Sequence, residues 1–265
     1  MAIVGSTAAP RRSDDRLMWL GPARVFYAGL LGATAQRSLG GHGVYVSPTG
    51  QPLRMRLAGG SWQSGELLVV PAQVPHQVAA EHPLVLNLLV ESESVNPALL
   101  PSVLRHCGPV DAPAFAQSVR EGHACLLAIA RREGPAGFPD FDSLFFGAAL
   151  APPVLDPRIR TVIARINADP AAPSPAQDCA AAVGLSFSRF LHLFKEETGV
   201  TFRAFRAWKR ARRLLYHVRQ GASLTDIALD TGYPDSTHFS HSIRQIYGLR
   251  PSDILAGSRR LAVHQ

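Results

Sequence analysis

Cysteine is scarce in this chain. Cys107, Cys125 and Cys179 are odd in number, and none stands in a Cys-x-x-Cys pair. Neither a disulfide framework nor a zinc module is indicated; the reading is buried reduced thiols, with a redox-sensing thiol as the alternative. Long apolar runs are missing too. The best candidates, around Leu67–Val70 and Phe145–Leu150, are stopped by Pro71 and by Pro152-Pro153, well short of the roughly 18 residues a membrane span needs. Residues 1–16 carry Arg11 and Arg12 with no apolar stretch behind them, so they read as a tail and not a secretory signal. No membrane partner is expected, and the cytoplasm is the expected compartment. A Gly-rich phosphate loop, a nucleophile elbow and a paired-carboxylate constellation are also absent. Asp14-Asp15 lies in the tail, and Glu196-Glu197 reads as a solvated helix face. No catalytic residue, metal site or cofactor is expected.

Acidic charge runs short in one region only. From Ser174 onward, 13 Lys+Arg face 7 Asp+Glu, a net +6, whereas before it 14 face 13, a net +1. The last third is the part that should meet a polyanion. A membrane surface is the competing polyanion, but these basic residues alternate with core positions of short helices and form no single amphipathic stripe.

What is present suggests two domains of ordinary size. From about 22 to 92 the signals are those of strands. Val44-Tyr45-Val46 and Leu53 to Leu57 alternate, Leu84 to Val90 is a short apolar run, and Gly40-Gly41, Pro48-Thr49-Gly50 and Gly59-Gly60 punctuate them. Short strands with tight turns favour a barrel or jelly roll. From Asn96 the period changes. Leu99, Leu100, Val103 and Leu104 recur at helical spacing after Pro97, and Phe115, Val119, Leu126 and Ile129 mark a second helix ending near Arg131-Arg132 and Gly134. The helices from 96 to 150 read either as a dimerisation surface or as a brace for the barrel. The apolar surface of Leu99, Leu100, Leu104, Phe145 and Phe146 exceeds what two short helices bury between themselves, which favours self-association. Asp156 then caps a helix from Pro157 with Ile159, Val162, Ile163 and Ile166 on one face, followed by a loop from Asp169 to Pro175.

The most informative feature is a pattern that occurs twice. Ala180, Gly184, Ser186, Phe190, Phe194 and Gly199 recur as Ala228, Gly232, Asp235 or Ser236, Phe239, Ile243 and Gly248, with one residue inserted in the second turn. The small residue lets two helices cross closely, the glycine ends the first helix in the left-handed region, and the polar residue caps the second. This is the sequence form of two helix-turn-helix units, at about 176–198 and 224–247. In the second helix of the first unit Phe190, Leu193 and Phe194 are core and Leu191 is left outward; in that of the second, Phe239, Ile243 and Ile246 are core. Ser188, Arg189 and His192 in the first, with Ser236, Thr237, His238 and His241 in the second, are then placed to meet base edges. Lys195, Arg206, Lys209, Arg210, Arg213 and Arg244 are the candidates for phosphate. Phe202 to Arg219 reads as a connecting helix of roughly 28 Å, able to hold two reading helices near the roughly 34 Å that one face of B-DNA requires.

Residues from about 158 to 258 resemble the AraC/XylS-type transcriptional regulators. The resemblance is carried by Leu224-Thr225-Asp226-Ile227-Ala228, Thr231-Gly232-Tyr233, His238-Phe239-Ser240 and Tyr247-Gly248-Leu249-Arg250-Pro251-Ser252-Asp253, and in the first unit by Leu185-Ser186, Phe190, Leu193-Phe194-Lys195 and Thr198-Gly199. It implies a seven-helix domain in a bacterial cytoplasm that reads adjacent major grooves. Pro234-Asp235 and the paired His238 and His241 depart from the pattern, so the base preference of the second helix stays open.

Upstream, Gly65 to His76 resembles the second motif of cupin barrels through Gly65, Pro71 and His76, although Gln73 stands where that motif has glycine and its later asparagine is missing. The first cupin motif is represented by His42 alone, too few donors for a firm metal centre. His76 reads equally as a hydrogen-bonded barrel residue and, with His42 and Trp62, as the lining of a ligand pocket.

The expected fold is α+β and multidomain. Residues 1–16 form a flexible tail, 17–95 a cupin-like β-barrel sensor, 96–156 a helical linker and dimerisation region, and 157–261 an all-α double helix-turn-helix domain. The expected function is effector-responsive transcription regulation without catalysis. Expected partners are double-stranded DNA, a small-molecule effector, RNA polymerase and a second copy of the chain. The rival readings are a cupin-type metal enzyme with a basic helical appendage, and an architectural DNA-binding protein.

Overall fold

The computed structural model describes residues 15–30, 35–131, 139–218, 222–258 and 262–264. Most of the expected tail, the Gly134 breaker and Arg219 lie outside them. Strands β1 (Leu17–Leu20), β2 (Arg24–Leu30), β3 (Gly41–Val46), β6 (Leu67–Val70), β8 (Leu84–Glu91), β9 (Gly108–Pro109) and β10 (Ala262–His264) form one sheet in the order β10-β1-β2-β8-β3-β6-β9. A second sheet has β4 (Leu53–Leu57) between β5 (Gln63–Gly65) and β7 (His76–Ala79). Among the described residues the ladders make two sheets and not one closed ring. All pairings are antiparallel except that of β10 with β1, which returns the far end of the chain to the first strand.

Side chains alternate across the large sheet, and both faces are buried. Leu17, Trp19, Phe26, Ala28, Val44, Val46, Leu67, Val69, Leu86 and Leu88 face one core, completed by α1 (Pro113–Ala130) and α2 (Phe141–Phe146). Met18, Leu20, Val25, Tyr45, Leu68, Val70, Val85 and Leu89 face a second core with Leu53, Met55 and Val78 of the small sheet. Burial of both faces explains why Leu84 to Val90, in β8, reads as a nearly continuous apolar run.

Two expectations for the region from 96 change. The stretch after Pro97 forms short 3-10 turns at Pro97–Leu99 and Ser102–Arg105 in place of an α-helix. Pro101 has no N–H to donate and holds Leu100 in extended backbone, at φ −60° and ψ 136°. The apolar surplus that favoured self-association is largely spent on the sheet: Leu100, Leu104 and Phe145 are buried there, and Leu99 is the exposed member of the group.

Gln73 has φ +62°, the one left-handed non-glycine among the described residues, with its N–H donating to the Leu39 carbonyl at 2.8 Å. It stands where the cupin motif has glycine, and an L-residue there costs roughly 1–2 kcal/mol.

Seven helices follow: α3 (Pro157–Ala168), α4 (Ala176–Ala182), α5 (Phe187–Thr198), α6 (Phe202–His217), α7 (Leu224–Asp230), α8 (Ser236–Tyr247) and α9 (Pro251–Ser258). Asp156 caps α3 by accepting from the Arg158 N–H at 2.9 Å. Ile159, Val162, Ile163 and Ile166 bury one face of α3 against Phe190, Leu193, Phe194, Phe202 and Phe205. Helix α6 is shared between two cores. Phe202 and Phe205 belong to this all-helical cluster, whereas Trp208, Ala211, Leu214 and Leu215 join the core that fills the space between the sheets.

Candidate nucleic-acid interface

The repeated pattern folds twice into one local geometry. After α4, Gly184 has φ +66° and Leu185 N–H donates to the Ala180 carbonyl at 3.0 Å; after α7, Gly232 has φ +81° and Tyr233 N–H donates to the Ala228 carbonyl at 2.9 Å. Both are left-handed glycine terminations that close the orphan carbonyls of the helix end. Ala180 and Ala228 are buried. Ser186 caps α5 by accepting from Arg189 N–H, and Asp235 caps α8 by accepting from Thr237 and His238 N–H, both at 2.8 Å. Each second helix ends on a left-handed glycine, Gly199 or Gly248.

The outer faces of α5 and α8 carry the residues that the sequence placed there. Ser188, Arg189, His192 and Lys195 are exposed on α5; Thr237, His238, His241 and Arg244 are exposed on α8, with Ser236 half-buried. His238 Nδ1 lies 2.8 Å from Asp235 Oδ2. The two hydrogen bonds from His238, one from its backbone N–H and one from its ring, hold the Asp235 carboxyl below the usual carboxylate range. In the neutral ring, donation through Nδ1 leaves Nε2 as an acceptor, able to take a hydrogen bond from an adenine or cytosine amino group.

The connecting helix behaves differently. Helix α6 spans 16 residues, about 24 Å. Lys209 is buried, with Nζ paired to Glu91 and lying 2.5 Å from Glu93 Oε1, so it is withdrawn from the phosphate contacts. Its neighbours complete the cluster: Trp208 Nε1 donates to Glu91 Oε1 at 2.9 Å, and Arg212 Nε lies 3.0 Å from the same oxygen. Arg212 also donates to the Gly21 and Arg24 carbonyls. Burial works to raise the Glu91 carboxyl, but Lys209 and Arg212 outweigh it and hold that carboxyl low. Glu93 is pushed up to about 7 by burial and by the charge of Glu91.

On the other side of α6, Arg206 donates to the Ser174 carbonyl at 2.7 Å and the Ala172 carbonyl at 3.3 Å. Arg210 donates to the Pro170 carbonyl, and Arg213 pairs with Asp169 at 3.4 Å. The three arginines brace the loop leading into the first unit, a job that the sequence did not show.

The trio proposed for a pocket does not converge. His76 is buried, with Nε2 2.9 Å from Tyr45 Oη and Nδ1 2.8 Å from the Val74 carbonyl; burial takes it down to about 4. His42 shares its face of β3 with Val44 and Val46, opposite Tyr45, so the two imidazoles lie on different sides of the sheet. Trp62 is 39% exposed, beneath the guanidinium groups of Arg54 and Arg56 at 5.7 and 5.1 Å. His76 is the hydrogen-bonded barrel residue, and the sequence carried no signal to say which parity of β3 faced inward.

Known proteins bear on the same region. A family described as "Helix-turn-helix domain" matches residues 179–257. The bifunctional transcriptional activator/DNA repair enzyme Ada of Escherichia coli is 33% identical over 81 residues, 31% of this chain; the chain spans 23% of the length of that relative. An apo form of ToxT from Vibrio cholerae superposes with a TM-score of 0.57 at 13% identity, over 89% of this chain and 97% of ToxT. ToxT with bound unsaturated fatty acid gives 0.50 at 9% identity, over 89% of this chain and 96% of that one. These structures share the fold, β domain first and helical domain second. Residues 179–257 form a helix-turn-helix domain, joined to an N-terminal β-sheet domain.

Proposed function

We propose that this chain is a sequence-specific transcriptional regulator of the bacterial cytoplasm that reads DNA with α5 and α8 and answers to a small molecule held by its β domain. The observation that carries the reading is the pair of reading helices, alike in termination and capping, each presenting short polar and cationic side chains to solvent. DNA is the partner for which such faces are built. We read the chain as a binder and not a catalyst because His42 and His76, the donors a cupin metal would need, face opposite sides of the sheet. No helix among the described residues is long and apolar enough to cross a membrane.

Effector response is supported by how the β domain holds α6. A cleft of about 530 Å³ is lined by Trp19, Leu20, Arg24, Ser94, Phe141 and Asp142, within the size range of ligand sites. Gly21 and Arg24, in the same wall, offer their carbonyls to Arg212 of α6. A ligand with an apolar body seated there presses on the turn that anchors the connecting helix. Fatty acid binding by ToxT is in keeping with an apolar ligand. Ada is described as a transcriptional activator, and activation through RNA polymerase is the mode we carry over.

Affinity for DNA measured against salt tests the reading. It should fall by about 10³-fold or more between 50 and 200 mM, and a chain truncated to residues 1–155 should not bind. Binding by that truncated chain would overturn the assignment.

A further inference from the structure

The first reading helix opens on a residue that packing leaves unexplained. Phe187 is the first residue of α5 and is 51% exposed, although Phe190 and Phe194 on the same helix are fully buried. Aligning the units on their capping residues, Ser186 and Asp235, sets Phe187 opposite Ser236, the first residue of α8. In motifs of this kind the N-terminal residues of the second helix are those that touch base edges. Ser188 and Arg189 follow directly and are exposed. A half-exposed phenyl ring among them gains nothing from water and has no hydrogen bond to offer a phosphate. The one apolar feature of the major groove is the thymine 5-methyl group, which phenylalanine is chemically suited to contact.

We propose that Phe187 is a specificity-determining residue that reads a thymine methyl group in the half-site bound by α5. This rests on α5 being a reading helix. It adds that the first unit discriminates partly by apolar contact, whereas the second, with Ser236, Thr237 and His238 in the corresponding stretch, does so by hydrogen bonding.

The test uses the full chain. A preferred duplex is selected from randomised DNA, and each thymine is replaced in turn by deoxyuridine, which differs only in lacking the methyl group. For the wild type, one replacement in one half-site should weaken binding about fourfold, the worth of one buried methyl-sized group. Phe187→Ala, with the same melting profile, should bind the thymine and deoxyuridine duplexes equally, and Phe187→Leu should keep part of the discrimination. Equal losses in wild type and Phe187→Ala at every position would overturn the proposal, as would a wild type indifferent to all replacements. A wild type that selects no sequence would instead overturn the reading-helix assignment, and this proposal with it.

Discussion

Phe190 and Phe239 occupy the same place in the two helix-turn-helix units and both are fully buried, yet the cores around them differ in extent. Phe190 sits in a cluster drawn from α3, α4, α5 and the start of α6. Phe239 sits with Ile227, Ile243 and Ile246 in a cluster that continues through Trp208 and Leu215 into the space between the sheets. Backbone contacts follow the same division. Ser38 N–H donates to the Ile246 carbonyl at 3.1 Å, and Gly40 lies so close to the Trp208 ring that a Cβ there would come within 2.0 Å of it. The first unit thus keeps a helical core of its own, while the second is welded to the β domain. Similar reading faces stand on unequal supports: the second unit shares the core between the sheets, whereas the first meets the β domain where α5 touches the turn Ser92–Ser94.

The comparison breaks most visibly at the ion cluster. Glu91→Ala leaves Lys209 and Arg212 buried without their main counter-charge and should cost about 3–5 kcal/mol in a denaturant titration. Asp169→Ala, which removes an exposed carboxylate from the half-buried Arg213 beside the first unit, should cost about 1 kcal/mol or less. Equal losses would mean that the two units are supported alike.

A smaller difference is expected at the turns. Gly184→Ala meets open space and should cost about 1 kcal/mol for its positive φ. Gly232→Ala should cost about 2–3 kcal/mol, because its Cβ would also stand 2.5 Å from the Ala171 carbonyl oxygen. Melting of the two variants side by side checks this, and an inverted order would contradict the packing described for the second unit.

A further effect is one of pH. With its carboxyl raised from 4.5 to about 7, folded Glu93 holds a proton that the unfolded chain releases, so this group makes stability fall as pH rises through that window. His76, lowered from 6.5 to about 4, acts in the opposite sense, costing stability as pH falls through its own window. Subtracting the stability profile of Glu93→Gln from that of the wild type isolates the carboxyl. The difference should decline from pH 4.5 to 7, and a flat difference would show that Glu93 is not held among Glu91, Lys209 and Arg212 as described.

The helical half was legible because its signals are short-range. Gly232, Asp235, Phe239 and Gly248 fix a turn, a cap, a core position and a helix end within 17 residues. The fate of Lys209 was not legible, because its partners Glu91 and Glu93 are more than a hundred residues away and nothing local to α6 reports them. Arg206, Arg210 and Arg213 misled for a related reason: a basic helix face reads the same whether it meets phosphate or the carbonyls of a neighbouring loop. In the β domain, alternation gave the parity of β3 but not which side was inward, so His42 and His76 were paired across a sheet that separates them. The helix expected after Pro97 failed at Pro101, a local signal that the leucine spacing outweighed.

The central claim is that two helices, α5 and α8, read DNA from one chain. Selection from randomised duplexes with the full protein tests it most directly. The account predicts two short preferred blocks about 10 base pairs apart centre to centre, one altered by Arg189→Ala and the other by His238→Ala. Binding without sequence preference, or a single block altered by neither substitution, would contradict it.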